Sequence, residues 1–488
     1  MKKLVELLHH VPVVVSSGSL SQEVSHITND SRQVRENSCF VAIKGFKEDG
    51  SSYIKQAIKK GAKTIISRQK PDQQYKNITW VQVKDDRYAF SKLISSFYNK
   101  ISDHFYTVGI TGTNGKTTIT TLVSAILNRQ YSTAQIGTLG MSFKDFQMKT
   151  SLTTPEPSEI FKFLSEVHAQ GCQFLVMEVS SVGLHLFRVE DIKFSQGIFT
   201  TFSGDHLDFH GTMEDYFQSK MLLFKKLQAN DWAVINLDDP TAFKIIDLLN
   251  CKYLTYGFSK NADIRPISYK FTTDGIQAVI ETPKGKLEVK SPLIGKINLT
   301  NILAATTSAV IKEISFDNIY AAIAETKPIR GRLDFIYKND FSVLIDYAHT
   351  DKAIESLLVS LRDIVVGRLI VVFGAGGDRD KTKRPRMGEV ASKYADYLII
   401  TSDNPRKEEP NAIIRDIVEG IEEGFDSMAQ EPDRSKAIGK ALDMANKGDI
   451  VVIAGKGHEN YQIFKDKTIH FSDYEVVDKI LKKRESHA

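Results

Sequence analysis

Gly112-Thr113-Asn114-Gly115-Lys116-Thr117-Thr118 follows an apolar run at 105–110 and opens a helical pattern that reaches about residue 129. Strand, glycine loop and helix in that order form a phosphate cradle. Glycine lets the backbone wrap an anion, and the first helical turn offers unpaired N–H groups and partial positive charge. In such a loop Lys116 pairs with the β- and γ-phosphates and the Thr117 hydroxyl reaches Mg²⁺. The full spacing of this loop type wants glycine at 110, where Ile110 stands, so the loop is a shortened variant. The order also decides the fold class, because a strand that feeds a helix through a tight loop belongs to an α/β sheet.

Working outward, the alternation continues downstream. The stretches 174–179, 197–200 and 233–237 read as buried strands between helical segments, which predicts a parallel sheet with helices on both faces. The stretch 264–293 reads as short antiparallel strands around turns at Asp274-Gly275 and Lys284-Gly285. Upstream, 39–43 is a buried strand, 53–60 is helical in pattern, and Gly61-Ala62 leads into another strand. From about Arg332, four apolar strands at 342–345, 369–373, 397–401 and 450–454 alternate with helices, as in a doubly wound, Rossmann-like unit. A chain of 488 residues exceeds what one core holds, since cores stop growing near ~250–300 residues. Three domains are therefore expected, at 1–102, 103–331 and 332–488, with no repeats or low-complexity linkers to mark the joins.

Composition narrows the function. Apolar residues make up 42% and charged residues 25%, which suits a globular protein and not a disordered chain or a collagen. Lys plus Arg is 64 against 60 for Asp plus Glu, a net charge of +4 too balanced for bulk-charge binding of nucleic acid. Cys39, Cys172 and Cys251 lack any metal or disulfide spacing and read as inert thiols of a reducing compartment. The start, Met1-Lys2-Lys3 and an apolar run, is broken by Glu6, His9, His10 and Pro12, unlike a signal peptide. A cytoplasmic protein without a membrane segment is expected. Gly374-Ala375-Gly376-Gly377 is not a dinucleotide fingerprint, which disfavours a nicotinamide cofactor.

Glu178 ends a strand beside the phosphate loop, where a carboxylate can hold the second side of a metal. Asp205-His206-Leu207-Asp208-Phe209-His210-Gly211 follows, then Tyr216 and Lys220. With the loop, Glu178, His206 and Lys220 in this order, the chain resembles the Mur ligase family, ATP-dependent amino-acid ligases of cell-wall precursor synthesis, along essentially its whole length. The resemblance implies that Lys220 is carbamylated by CO₂ to N6-carboxylysine. That chemistry is coherent, because a desolvated lysine has a lowered pKa and a nucleophilic neutral amine. It implies Mg²⁺ held by Thr117, Glu178, His206 and the Lys220 carbamate, with Lys116, Glu178, His206 and Lys220 catalytic. It places ATP on Gly112 to Thr118, on Asn236 of Asn236-Leu237-Asp238-Asp239-Pro240, on Asn298 and Asn301, on Arg332 at a hinge, and on Asp346 of Asp346-Tyr347-Ala348-His349-Thr350.

Asp30-Ser31-Arg32 resembles the uridine-nucleotide domain of the family's tripeptide synthetase branch, and Thr153, Thr154, Ser180 and Arg188 resemble its contacts to the muramoyl dipeptide. Asp403-Asn404-Pro405-Arg406 resembles the signature that selects meso-diaminopimelate over lysine, with Arg379, Gly455 and Glu459 as partners. Arginines hold carboxylates by two-pronged hydrogen bonds, and Glu459 can take an ammonium. The implied reaction joins meso-diaminopimelate to UDP-N-acetylmuramoyl-L-alanyl-D-glutamate through an acyl phosphate, in a protein expected to be a monomer. Four positions depart from the family's usual residues: Val182 for His, Thr201 for Asn, Asp351 for Pro and Ser51 for His. Val182 and Thr201 border the metal and acyl-substrate region. The rivals are a ligase of the same type using L-lysine or a modified acceptor, a folylpolyglutamate synthase, and a degenerate non-catalytic paralogue.

Overall fold

The computed structural model describes residues 1–485 except Lys47 and Gln74, with side chains to residue 484. Its central sheet has eight strands, in the spatial order Phe146–Met148, Gly140–Phe143, Thr133–Gly137, Phe174–Glu178, Tyr106–Thr111, Gln196–Phe199, Trp232–Asn236 and Lys252–Tyr256. From Thr133–Gly137 onward all neighbours are parallel, as the alternation predicts. The hairpin Gly140–Phe143 and Phe146–Met148 is antiparallel and was not expected. It is too short for a periodic signal and shows only the burial of Met141 and Phe143. After Tyr106–Thr111 the chain adds strands on one side, then crosses to the other at Gln196–Phe199. That reversal opens a crevice at the strand C-termini, where ligands of open α/β sheets bind.

Helices cover both faces. On one, Ile119 and Leu122 of helix Lys116–Leu127 and Leu299 and Ile302 of helix Gly295–Ile311 pack on Val108, Ile110, Val176 and Ile198. On the other, Phe161 and Leu164 of helix Pro157–His168 and Phe217 and Met221 of helix Met213–Lys225 pack on Leu175, Met177 and Ala233. The second cluster runs on into Leu4, Leu7, Phe90 and Leu93 of the N-terminal part, so the two parts share one apolar core. The N-terminal sheet itself has five strands, in the order Val13–Ser17, Thr79–Val83, Ala62–Ser67, Ser38–Val41 and His26–Thr28, parallel except at the first pair.

The C-terminal sheet has six strands, in the order Asp334–Lys338, Ser342–Asp346, Ile450–Ala454, Leu369–Phe373, Tyr397–Thr401 and Met428–Glu431, antiparallel only at Asp334–Lys338. The four predicted strands form its middle. The two edge strands, half-buried and without an apolar run, were not foreseen. Strands Arg265–Thr272, Gly275–Thr282 and Gly285–Ser291 make the expected antiparallel unit around its two turns. The three cysteines are free thiols, and burial pushes Cys172 up to about 11. Among the described residues no helix is long and apolar enough to cross a membrane.

Candidate functional site

The phosphate loop stands at the C-terminal end of Tyr106–Thr111 and runs into helix Lys116–Leu127. Gly112 and Gly115 have φ of 145° and 87°, values that glycine adopts freely. A Cβ on Gly112 would stand 1.8 Å from the Thr200 hydroxyl, so that position admits no side chain. The loop is pinned from outside. Thr201 carbonyl accepts from Thr113 N–H at 2.7 Å and Thr201 Oγ1 from Asn114 N–H at 3.1 Å. The departure at Thr201 therefore buttresses the loop. Val182 lies in the short helix Ser181–His185.

Glu178 is buried at the end of Phe174–Glu178, level with Ile110 of the neighbouring strand. Its carboxylate accepts from the Thr117 hydroxyl at 3.1 Å, the Thr138 N–H at 2.8 Å and the Thr138 hydroxyl at 3.1 Å. Lys116 folds back to donate to the carbonyls of Gly112 and Thr113 at 2.8 and 2.9 Å. Burial lowers its pKa, against the pull of Glu178 and Asp205. Lys220 is more extreme. Its amine lies 4.2 Å from the centre of the Tyr216 ring, and no ion pair to it is found among the described residues. Burial pushes its pKa well below the ordinary value, nearby Lys116 adds to the fall, and Asp205 opposes it. Burial pushes the Asp205 carboxyl up, but His206, His349 and Lys383 outweigh it and hold it at about 2. These groups line one cavity of about 180 Å³ with Thr153, Ser180, Arg332 and Tyr347.

A second cavity, of about 160 Å³, is lined by Arg379, Lys383, Asp403, Asn404, Arg406 and Glu459, and Gly455 also borders it. Asp205, His206, Tyr347 and His349 line both cavities. Here the buried charges behind the wall are paired. Fully buried Lys456 donates to Glu459 at 3.1 Å and to Asn404 at 3.3 Å, and Asn404 donates to Glu459 at 3.1 Å. Arg406 has a left-handed backbone (φ 51°) and donates to the Gly377 carbonyl at 2.7 Å. Fully buried Arg384 and exposed Lys381 converge on Glu408, which also accepts from the Asp378 N–H at 2.7 Å. Glu408 thereby fixes the loop that carries Arg379.

The remaining candidates sit behind the walls or elsewhere. Thr154 donates to the Glu178 carbonyl at 3.0 Å, and Arg188 donates to the Thr154 carbonyl at 3.1 Å and to Glu156 at 2.9 Å. Arg188 is thus placed to hold the 154–156 segment. Asn236 donates to the Thr200 carbonyl, while Asn298 donates to the Ile294 carbonyl and accepts from Asn301. Asn236 and Asn301 line a larger cleft of about 660 Å³ beside Asn114 and Gly115, with Phe258 and Pro240. Buried Asp346 accepts from Leu333 N–H and Ala348 N–H, both at 2.7 Å, so it ties the segment after Arg332 to its strand and does not line either small cavity. Pro405 is buried and does not line the second cavity, and its carbonyl accepts from Glu408 N–H at 3.0 Å. Ser31 donates to Gln56 at 3.0 Å in the N-terminal part, in none of these cavities. Thr138, Asp205, Tyr347, His349 and Lys456 were not singled out from sequence. Asp205, Tyr347 and His349 lie inside motifs quoted for their neighbours and Lys456 lies between Gly455 and Glu459, whereas Thr138 carries no sequence signal.

Residues 23–98 match the Mur ligase family, catalytic domain, residues 110–309 the Mur ligase middle domain, and residues 331–457 the Mur ligase glutamate ligase domain. The chain is 40% identical over 484 residues to UDP-N-acetylmuramoyl-L-alanyl-D-glutamate–2,6-diaminopimelate ligase 1 of Clostridium acetobutylicum, covering 98% of this chain and 99% of that protein. A solved structure of a ligase of the same description aligns with a TM-score of 0.69 and 30% identity over 99% of each chain. The MurF ligase of Thermotoga maritima in complex with ADP shares the fold, with a TM-score of 0.66 at 20% identity over 95% of this chain and 98% of that one. With a relative of that identity along nearly its full length and three family segments in sequence order, the chain belongs to the Mur ligase family.

Proposed function

We propose that this protein is an ATP-dependent amide ligase that joins meso-diaminopimelate to the D-glutamate of UDP-N-acetylmuramoyl-L-alanyl-D-glutamate. The observation that carries the reading is the shared wall: Asp205, His206, Tyr347 and His349 border both the phosphate-loop cavity and the arginine-rich cavity. A nucleotide-activated carboxylate in one cavity and an amine in the other would meet there, which supplies proximity.

In this reading the substrate carboxylate attacks the γ-phosphorus of ATP, ADP leaves, and an acyl phosphate forms. The amine then attacks the acyl carbon, phosphate departs with its electron pair, and the amine loses a proton. The loop N–H groups and Lys116 hold the phosphates, and Arg332 lies at the same cavity to meet developing negative charge. Thr117 and Glu178 present oxygen donors suited to Mg²⁺, which takes one or two protein oxygens and otherwise phosphates and water. Bound there, Mg²⁺ would neutralise charge on the transferring phosphoryl group. Lys220, stripped of carboxylate partners, is suited to carbamylation, and its carbamate would add an anionic ligand, with His206 beside it at the mouth.

Selectivity follows from the second cavity. Arg406 spends one N–H on Gly377 and keeps others for a ligand carboxylate. Lysine would leave those remaining donors without a carboxylate, so it would bind more weakly. Ser31 would take the uridine-bearing substrate in the N-terminal part, with Thr153, Thr154, Ser180 and Arg188 shaping the path of its peptide. The test is ATP-dependent phosphate release with the muramoyl dipeptide and, in turn, meso-diaminopimelate, L-lysine and no amino acid. Release with meso-diaminopimelate alone is expected. Release with lysine alone would overturn the acceptor, and release with neither would favour a retargeted or non-catalytic protein.

A further inference from the structure

Every other cation of the second cavity's framework is tied within the C-terminal part: Arg406 to Gly377, Lys456 to Glu459, Arg384 to Glu408 and Asp416, and Lys383 to the His349 carbonyl. Arg379 differs. Its guanidinium donates to Asp208 at 2.5 Å, across the junction to the central part, and Asp208 stands 171 residues away in sequence. Both side chains are partly exposed, and both line the second cavity. Asp208 follows Asp205 and His206, which also face the phosphate-loop cavity, and Phe209 next to it packs edge-on against Phe46 of the N-terminal part at 5.5 Å. The segment is therefore anchored beside Asp208 by Phe209, while the Asp208 side chain itself stays about one third exposed at 34%.

Arg406 Nη1 and Arg379 Cγ lie 2.9 and 3.7 Å from where a side-chain carbon on Gly376 would stand, so the two arginines flank one glycine. The Arg379 stem thus starts beside the Arg406 guanidinium, and the contact with Asp208 decides where its own guanidinium, half-exposed, comes to rest. The Asp208 carboxylate gives that guanidinium a charged partner at the cavity. We propose that Asp208 is a positioning residue of the amino-acid site: it holds Arg379 beside Arg406 and so sets the affinity for a ligand that carries two carboxylates. This inference rests on the ligase reading above.

The test is steady-state kinetics of phosphate release by the full chain. Asp208→Asn should raise KM for meso-diaminopimelate by about tenfold while KM for ATP changes by less than about twofold, the size expected of one charged contact. Asp208→Glu should return KM to within about threefold of the unaltered protein. In an Arg379→Ala background Asp208→Asn should add less than about twofold, because the pair acts as a unit. An unchanged KM, an equal rise in both KM values, or full additivity with Arg379→Ala would each overturn the inference. Thermal melting of Asp208→Asn separates misfolding from the specific effect, and if that variant does not fold, Asp208→Glu against Asp208→Ala carries the comparison. If the unaltered protein releases no phosphate with any amino acid, the ligase reading falls and this inference with it. If release is amino-acid dependent and Asp208 is indifferent, only this inference falls.

Discussion

The two adjoining cavities hold positive charge in opposite ways. Among the described residues, Lys116 in the phosphate-loop cavity reaches only backbone carbonyls and Lys220 only an aromatic ring, and burial lowers the pKa of both. Around the arginine-rich cavity the buried framework cations are paired with carboxylates, Lys456 with Glu459 and Arg384 with Glu408 and Asp416, while Arg406 and Lys383 at its wall donate to backbone carbonyls. The first is an incomplete ionic structure, which a polyphosphate, a metal and CO₂ would complete. The second is a finished scaffold, which discriminates among ligands by shape and by the few donors it leaves over. Affinity for anions is thus bought at one site with protein stability, while selectivity at the other rests on rigidity.

The contrast can be broken by removing one lysine from each side. Lys220→Met should lower turnover by about 10³-fold, since it deletes both the carbamate and the ligand set around it, yet leave the fold as stable as before or more so. A phosphate-release assay alongside thermal melting checks both parts, and a mass increase of one CO₂ on the unaltered protein should vanish in the variant. A clear drop in melting temperature would mean that Lys220 has a stabilising partner after all. Lys456→Met should behave in the reverse sense, costing about 3 kcal/mol of stability because Glu459 and the buried Asp403 lose their counter-charge. Denaturant unfolding measures that loss, and an unchanged midpoint would remove the contrast altogether.

The sequence carries the first cavity better than the second, for a physical reason. A phosphate loop is local: strand, glycines and helix are contiguous, so Gly112 to Thr118 and the buried Glu178 strand can be read from order alone. Parallel strands in the interior are also legible as apolar runs, whereas the edges at 140–148, 334–338 and 428–431 are short or half-buried and leave no such trace. The second cavity joins residues from 376–384, 403–408 and 455–459, and no spacing rule links those stretches. Only resemblance singled out Arg379, Arg406 and Glu459, and even that left unstated what Lys456 and Glu408 do for them. Lys456 stands next to Gly455, but its role as buried counter-ion exists only once the chain is folded. Likewise Arg188, Asn298 and Asp346 carry the right chemistry for ligands, yet their polar atoms are spent on backbone groups behind the cavity walls.

Two smaller effects sharpen the contrast within the second cavity. Arg406→Ala should raise KM for meso-diaminopimelate by about 30-fold and leave KM for ATP unchanged, because its side chain serves only the scaffold's selective face. Equal rises in both would mean that the cavities act as one. Glu408→Gln probes the scaffold itself. Hydrogen bonds from Arg384 hold the Glu408 carboxyl at about 2, against an ordinary 4.5, with the Asp378 N–H and Lys381 assisting and burial opposing. A carboxyl depressed in the folded state stabilises the protein fully above its unfolded value, and that contribution is lost as pH falls from 4.5 through about 2. The glutamine keeps an acceptor for Arg384 but not the charge, so at neutral pH the variant should be less stable by about 1 kcal/mol. As the medium is acidified through that window, the gap between the two unfolding curves should close. A gap that persists below the window would show that Glu408 acts through its shape and not its charge, and that the second cavity owes its order to packing more than to paired ions.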